Sequence, residues 1–128
     1  MVGLDSPFLL NLEFCFETKY FVALGLECNF KGYLDCPGGE LFYYLRKVRR
    51  LTEDEARYCF IEILLGIQYL HEKRIIYRDI KPENIMIDMD GNLKIADFGL
   101  SKMGMMPNEL AYTYCGSPEY MAPEMLSK

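Results

Sequence analysis

The chain has one histidine, and none of its five cysteines stands in a C-x-x-C pair. That leaves no zinc-ligand spacing and no disulfide framework, and a reducing, cytoplasmic (intracellular) setting is the simplest reading. Basic charge is also short, because 14 Lys and Arg are set against 19 Asp and Glu for a formal net charge of −5. Such a balance argues against a nucleic-acid surface and is compatible with a cationic partner. No apolar run is long enough to span a membrane, no secretory leader is visible, and repeats, low-complexity tracts and proline-rich linkers are missing. With 51% hydrophobic residues the chain is expected to collapse while leaving sticky apolar surface exposed.

Chemistry is concentrated in three strings: Tyr77-Arg78-Asp79-Ile80-Lys81-Pro82-Glu83-Asn84, then Asp97-Phe98-Gly99, then Ala122-Pro123-Glu124. Phosphoryl transfer needs residues that hold Mg²⁺, orient an attacking hydroxyl and neutralise charge on the transferred group. Asp79 offers an acceptor for a hydroxyl proton, and Lys81, two residues on in an extended loop, places a positive charge beside it. Asn84 and Asp97 supply hard oxygen ligands of the kind Mg²⁺ takes while keeping waters and phosphate oxygens. Between them, Ile85-Met86-Ile87 and Leu93-Lys94-Ile95 flank Asp88-Met89-Asp90-Gly91-Asn92, whose Asp-Gly pair predicts a tight hairpin turn. That hairpin would bring Asn84 and Asp97 to one side. The bland alternative is that each carboxylate simply faces solvent, but three such strings in this order make that a poor account.

Elsewhere the pattern predicts apolar strands over Leu9–Phe16 and Tyr20–Leu24, joined by the polar Glu17-Thr18-Lys19, and a short helix over Glu40–Lys47. Thr52-Glu53-Asp54-Glu55 reads as a capping box that opens a long helix to about Lys73. Phe60, Ile63, Leu64, Ile67 and Leu70 share one face of it and are expected in the core, as is Cys59. Arg46-Lys47-Val48-Arg49-Arg50 reads as a solvated helix end rather than a localisation signal. Met103, Met105 and Met106 are expected in a mobile loop.

The three strings resemble the catalytic loop, metal loop and activation-segment end of eukaryotic serine/threonine protein kinases. Tyr77 in place of the usual His, with Thr113-Tyr114-Cys115-Gly116-Ser117-Pro118-Glu119-Tyr120, is similar to the AGC group in particular. The resemblance implies an α+β, bilobal kinase-like fold, here partial. Small-lobe strands and a disturbed hinge would occupy residues 1–35, and the large-lobe part with catalytic loop and activation segment 36–128. ATP and Mg²⁺ are the implied cofactors. Asp79 and Lys81 would be catalytic, Asn84 and Asp97 the metal ligands, and Glu40 and Met86 would contact ribose and adenine. Arg78 would bind a phosphorylated Thr113 placed by an upstream activating kinase, with Ser117 beside Asp79 and Lys81. Glu40 and Glu83 would face basic residues near the target Ser or Thr of protein substrates. Tyr77, Phe98 and Leu12 would stack in an internal column.

The sequence also departs from that family. No G-x-G-x-x-G-x-V loop and no V-A-I-K lysine occurs; Val22-Ala23-Leu24-Gly25 is the nearest run, with Gly25 at the place of the charge. Roughly nine residues within Gly25–Asp35 look surplus and disturb the hinge. The family's catalytic domain is about twice this length. The chain is therefore expected to be an incomplete catalytic domain without activity on its own. The alternative is a truncated, non-catalytic binding or decoy module.

Overall fold

The structure, a computed structural model, describes residues 4–27, 39–106 and 109–126. In chain order the elements are strands β1 (Leu12–Glu17) and β2 (Val22–Leu26), helices α1 (Leu41–Val48) and α2 (Glu53–Glu72), and strand β3 (Ile75–Ile76). Strands β4 (Ile85–Ile87), β5 (Leu93–Ile95) and β6 (Lys102–Met103) and helix α3 (Pro123–Leu126) follow. The strands form three two-stranded antiparallel sheets, β1 with β2, β3 with β6 and β4 with β5.

Helix α2 begins where the capping box predicts. The Thr52 hydroxyl accepts the Glu55 N–H at 3.3 Å and the Glu55 carboxylate accepts the Thr52 N–H at 2.7 Å. These bonds hold the Glu55 carboxyl below its usual range. Glu62, Gly66 and Leu70, four residues apart, form the buried line of α2. At Gly66 a β-carbon would stand 2.8 Å from Ile95 Cδ1 and 3.2 Å from the Phe8 carbonyl oxygen, so glycine permits the close approach of helix and hairpin. Ile63 and Ile67 pack against the core as expected, and Cys59 borders it half-buried. Phe60 and Leu64 do not: they are 65% and 50% exposed. The helical period identified an apolar face wider than the strip that β5 covers.

The β4–β5 hairpin has the predicted bounds, with Ile85, Met86 and Ile87 paired to Ile95, Lys94 and Leu93. Its turn is tied by Asp88, whose Oδ1 accepts the N–H groups of Asp90 and Asn92, each at 2.9 Å. Leu9, Leu41, Leu70, Ile75, Tyr77, Ile85, Leu93 and Ile95 make the core between α2 and this hairpin. Each such side chain contributes about 1.5–3 kcal/mol by leaving water.

The first two strands lie further along the chain than expected. Leu9 and Leu10 do not extend β1. They join the hairpin, where the Ile95 N–H donates to the Phe8 carbonyl and the Leu10 N–H to the Ile95 carbonyl, each at 2.9 Å. Strand β1 therefore starts at Leu12, and β2 runs through Gly25 and Leu26, into the stretch read as surplus. At the end of β2, Glu27 Oε1 lies 2.6 Å from Lys94 Nζ, an ion pair whose side chains are 13% and 9% exposed. The rest of that stretch and the expected boundary at 35/36 lie outside the described residues. The methionines are also more structured than expected: Met103 pairs with Ile75 in β6 and Met105 is buried.

Candidate active site

The Tyr77–Asn84 string is fastened to the Asp97-Phe98-Gly99 string through Tyr77. Its hydroxyl donates to the Ala96 carbonyl, its ring meets Phe98 edge-on at 5.6 Å between centroids, and only 2% of it is exposed. Burial pushes this phenol well above its ordinary range, so it remains a donor. Of the expected column, the Tyr77–Phe98 contact is present, and Leu12 and Phe98 line one cavity.

Asp79 is 8% exposed and sits at the centre of a charge-assisted network. Lys81 Nζ lies 3.0 Å from Asp79 Oδ2, and the Asn84 side-chain amide donates to the same oxygen at 2.9 Å and to the Asp79 carbonyl at 2.9 Å. Ser117 donates to Asp79 Oδ1 from its hydroxyl at 3.0 Å and its N–H at 3.1 Å, while Lys81 donates to the Ser117 hydroxyl at 3.0 Å. Burial alone would push the Asp79 carboxyl up, but bonds from Lys81, Ser117 and Asn84 outweigh it and hold the carboxyl below its usual range. The reciprocal bond from Asp79 raises the Lys81 ammonium. Gly116 makes the Ser117 contact possible: its φ is +108°, and a β-carbon there would meet the Arg78 carbonyl oxygen at 2.7 Å.

Asn84 and Asp97 are brought together by the hairpin. The ladder continues one residue past β4, with the Ala96 N–H donating to the Asn84 carbonyl at 2.8 Å, so Asp97 follows directly beside Asn84. Because the Asn84 nitrogen is committed to Asp79, its Oδ1 is left for a ligand. Asp97 is exposed, with Oδ1 accepting the Gly99 N–H at 3.1 Å. Arg78 and Asp97 both adopt left-handed backbone, φ 70° and 49°, at a cost of about 1–3 kcal/mol each. The other two left-handed non-glycine residues among those described, Arg49 and Arg74, only end helices. No group of three or more His, Cys, Asp or Glu that could hold a metal occurs among the described residues. The donor set fits Mg²⁺ nonetheless, since that ion takes few protein oxygens beside phosphate and water.

Asn84, Asp97, Lys81, Ser117, Glu40 and Glu83 share the lining of one open cavity of about 630 Å³. Glu119 joins them, a fourth carboxylate, to which sequence reasoning gave no role. Glu83 Oε2 is buried without a hydrogen-bond partner. Met86 bridges Glu40 through the backbone, which sets the two nucleotide-contact candidates side by side. Thr113 is exposed, and none of the described hydrogen bonds or ion pairs joins it to Arg78. The Arg78 guanidinium donates through Nε to the Leu100 carbonyl at 2.7 Å, while its Nη1 is buried without a partner.

The chain matches the protein kinase domain family over residues 1–128. It belongs to the protein kinase family. RAC-beta serine/threonine-protein kinase B of Xenopus laevis is 45% identical over 120 residues, covering 94% of this chain and 23% of that protein. Serine/threonine-protein kinase Sgk2 of Homo sapiens is 45% identical over 122 residues, 95% of this chain and 31% of that protein. Protein kinase 3 of Dictyostelium discoideum is 40% identical over 133 residues, 97% of this chain and 14% of that protein. The kinase chain described here thus spans less than a third of the length of each. These relatives bear out the AGC resemblance drawn from Tyr77 and the Thr113–Tyr120 run. The mixed helices and short antiparallel strands are the α+β content expected of such a kinase. No helix among the described residues is long and apolar enough to cross a membrane.

Proposed function

We propose that these residues are the phosphoryl-transfer half of a serine/threonine kinase that acts in the cytoplasm on protein substrates with basic residues near the target hydroxyl. The observation that carries this reading is the Asp79 network, which sets an ionised carboxylate, an ammonium and a hydroxyl within 3.0 Å of one another. Bound Mg-ATP would supply the phosphoryl group and the cation that neutralises its charge. Asn84 and Asp97 would hold that cation, with Glu40 and Met86 at the nucleoside. Asp79 would accept a hydrogen bond from the substrate hydroxyl and orient it. A carboxylate held below its usual range is a weak base, so the proton passes to it late, as the hydroxyl's acidity rises. Lys81 would follow the charge on the transferred group.

Glu40, Glu83 and Glu119 on the cavity wall support recognition of Arg or Lys. The partnerless Arg78 Nη1 supports an anion arriving there, and phosphate on Thr113, placed by an upstream kinase, is the candidate. The 128 residues contain no glycine-rich loop and no strand lysine, so by themselves they should transfer no phosphate.

The test compares the natural full-length product with this chain alone on an Arg-rich Ser peptide. Full-length protein should phosphorylate it and lose about 10²–10⁴-fold on Asp79→Asn, while the isolated chain stays silent. Phosphate transfer by the isolated chain, abolished by Asp97→Ala, would overturn the inactivity. A full-length product that transfers nothing would favour the decoy module instead.

A further inference from the structure

A second cavity, of about 590 Å³, lies between the start of α1, the first two turns of α2 and the β4–β5 turn, and the proposed phosphotransfer makes no use of it. Its apolar lining includes Leu41, Tyr44, Leu51, Cys59, Met89 and Leu93. Its charged lining is of one sign: Glu40, Asp54, Glu55, Asp88 and Asp90 contribute five carboxylates, and no Lys, Arg or His joins them. Glu55 and Asp88 are engaged in the helix cap and the hairpin turn. Asp54 meets Arg57 at 3.3 Å across side chains that are 93% and 63% exposed, a contact worth little. The exposed Asp90 carboxylate accepts no hydrogen bond among the described residues, and its charge is open to a partner.

An apolar pocket inside a ring of carboxylates selects against nucleic acid, phosphate and anionic lipid, all of which carry the ring's own sign. A wholly apolar ligand would leave the ring unanswered. The chemistry that satisfies both parts is a polypeptide segment with one or two aliphatic side chains for the floor and Arg or Lys beside them for the rim. We propose that this groove docks such a basic, Leu-bearing segment of a partner protein. Glu40 lines both this groove and the catalytic cavity, so a docked partner would be held next to the cleft and its local concentration raised. Docking does not depend on phosphotransfer, because neither Asp79 nor Asn84 nor Asp97 touches the groove.

The experiment titrates the full chain into a fluorescein-labelled dodecapeptide carrying two Leu flanked by Arg, and into two controls, one with Arg replaced by Glu and one with Leu replaced by Ser. The Arg–Leu peptide should bind, both controls should bind far more weakly, and added salt should weaken it. Asp90→Lys should reduce its affinity about tenfold. Met89→Ser, at a 48% exposed groove residue, should weaken binding without endangering the fold. Saturating peptide should also slow alkylation of Cys59 by N-ethylmaleimide, read by mass spectrometry of the Cys59 fragment. Equal binding of the Arg-to-Glu control, or affinity untouched by both variants, would sink the proposal. So would protection at Cys115 rather than Cys59, which would place the peptide in the catalytic cleft as substrate and leave the kinase reading intact.

Discussion

Two antiparallel hairpins in this chain make a controlled contrast. The β1–β2 ribbon has strands of six and five residues, the β4–β5 hairpin only three and three. By ladder length the first should be the firmer. Yet no residue of the ribbon is buried, and Phe14, Phe16 and Leu24 are 59%, 50% and 62% exposed. All three residues of β5 are buried, against α2 on one side and Leu9 on the other. A hairpin alone is marginal in water, so what separates the two is the surface each is pressed against. The site residues sit accordingly: Asn84 and Asp97 flank the embedded hairpin, while Leu12, Cys15, Leu24 and Leu26 of the ribbon only line a cavity shared with Asp97, Phe98 and Gly99.

The strongest way to break the contrast is to cut the tie between the two hairpins. Lys94 is buried in β5, and its ammonium is matched by Glu27 at the end of β2, with Asn11 donating to the other Glu27 oxygen at 3.3 Å. Lys94→Met leaves a carboxylate nearly buried without its cation, and should cost about 3–5 kcal/mol in urea denaturation. The double variant Lys94→Met with Glu27→Met should recover most of that, because two apolar side chains of similar size replace the pair. Recovery of less than half would mean that the charges are needed for something other than each other. Hydrogen exchange on Lys94→Met should quicken in the β2 amides before those of β5, if Glu27 is what ties the ribbon down.

This pair also marks where the sequence stops being legible. The hairpin's bounds follow from two apolar triplets around Asp-Gly, and the start of α2 from Thr52 and Glu55, because those signals are local. Asp79, Lys81 and Asn84 of the network were likewise readable in one motif, and Ser117 in the separate Thr113–Tyr120 run. A buried Lys94 was not, since lysine is ordinarily solvated and its partner stands far away in sequence. Glu62 was missed for the same reason: among the apolar residues of α2 it reads as a polar interruption, but its carboxylate accepts the Leu93 N–H at 2.7 Å and lies 3.1 Å from the Tyr58 hydroxyl. Periodicity likewise identified Phe60 and Leu64 as apolar-face residues without saying what would cover them.

Acid should act on the embedded side, where the Asp79 network hangs on Asn84 at the foot of β4. The folded Asp79 carboxyl is held below its ordinary value, so it contributes stability above the unfolded carboxyl's pKa, about 4, and loses it as pH falls through the folded value. Asp79→Asn should therefore flatten the acid limb of a stability–pH curve by about 1 kcal/mol, and it should flatten the alkaline limb as well, because the bond from Asp79 is what raises the Lys81 ammonium. An acid limb that keeps its full slope in Asp79→Asn would assign the acid linkage to another carboxyl.

The smallest effect is expected where the ladder is longest. Phe16 pairs with Ala23 in β1–β2 and lies 6.3 Å from both the Phe14 and Phe21 rings, an arrangement that looks like a small aromatic core. Half of Phe16 remains in water, so truncating it removes cross-strand contact rather than core volume. Phe16→Ser should change global stability by no more than about 0.5 kcal/mol. The equivalent truncation of Ile95, 1% exposed in β5, should cost about 2–5 kcal/mol. If Phe16→Ser instead approached the Ile95 value, the exposed aromatic face would have to be covered in solution, by a second copy or by a partner. Sedimentation of the wild type and of Phe16→Ser at several concentrations would separate those two covers, because only self-association vanishes on dilution and on substitution alike.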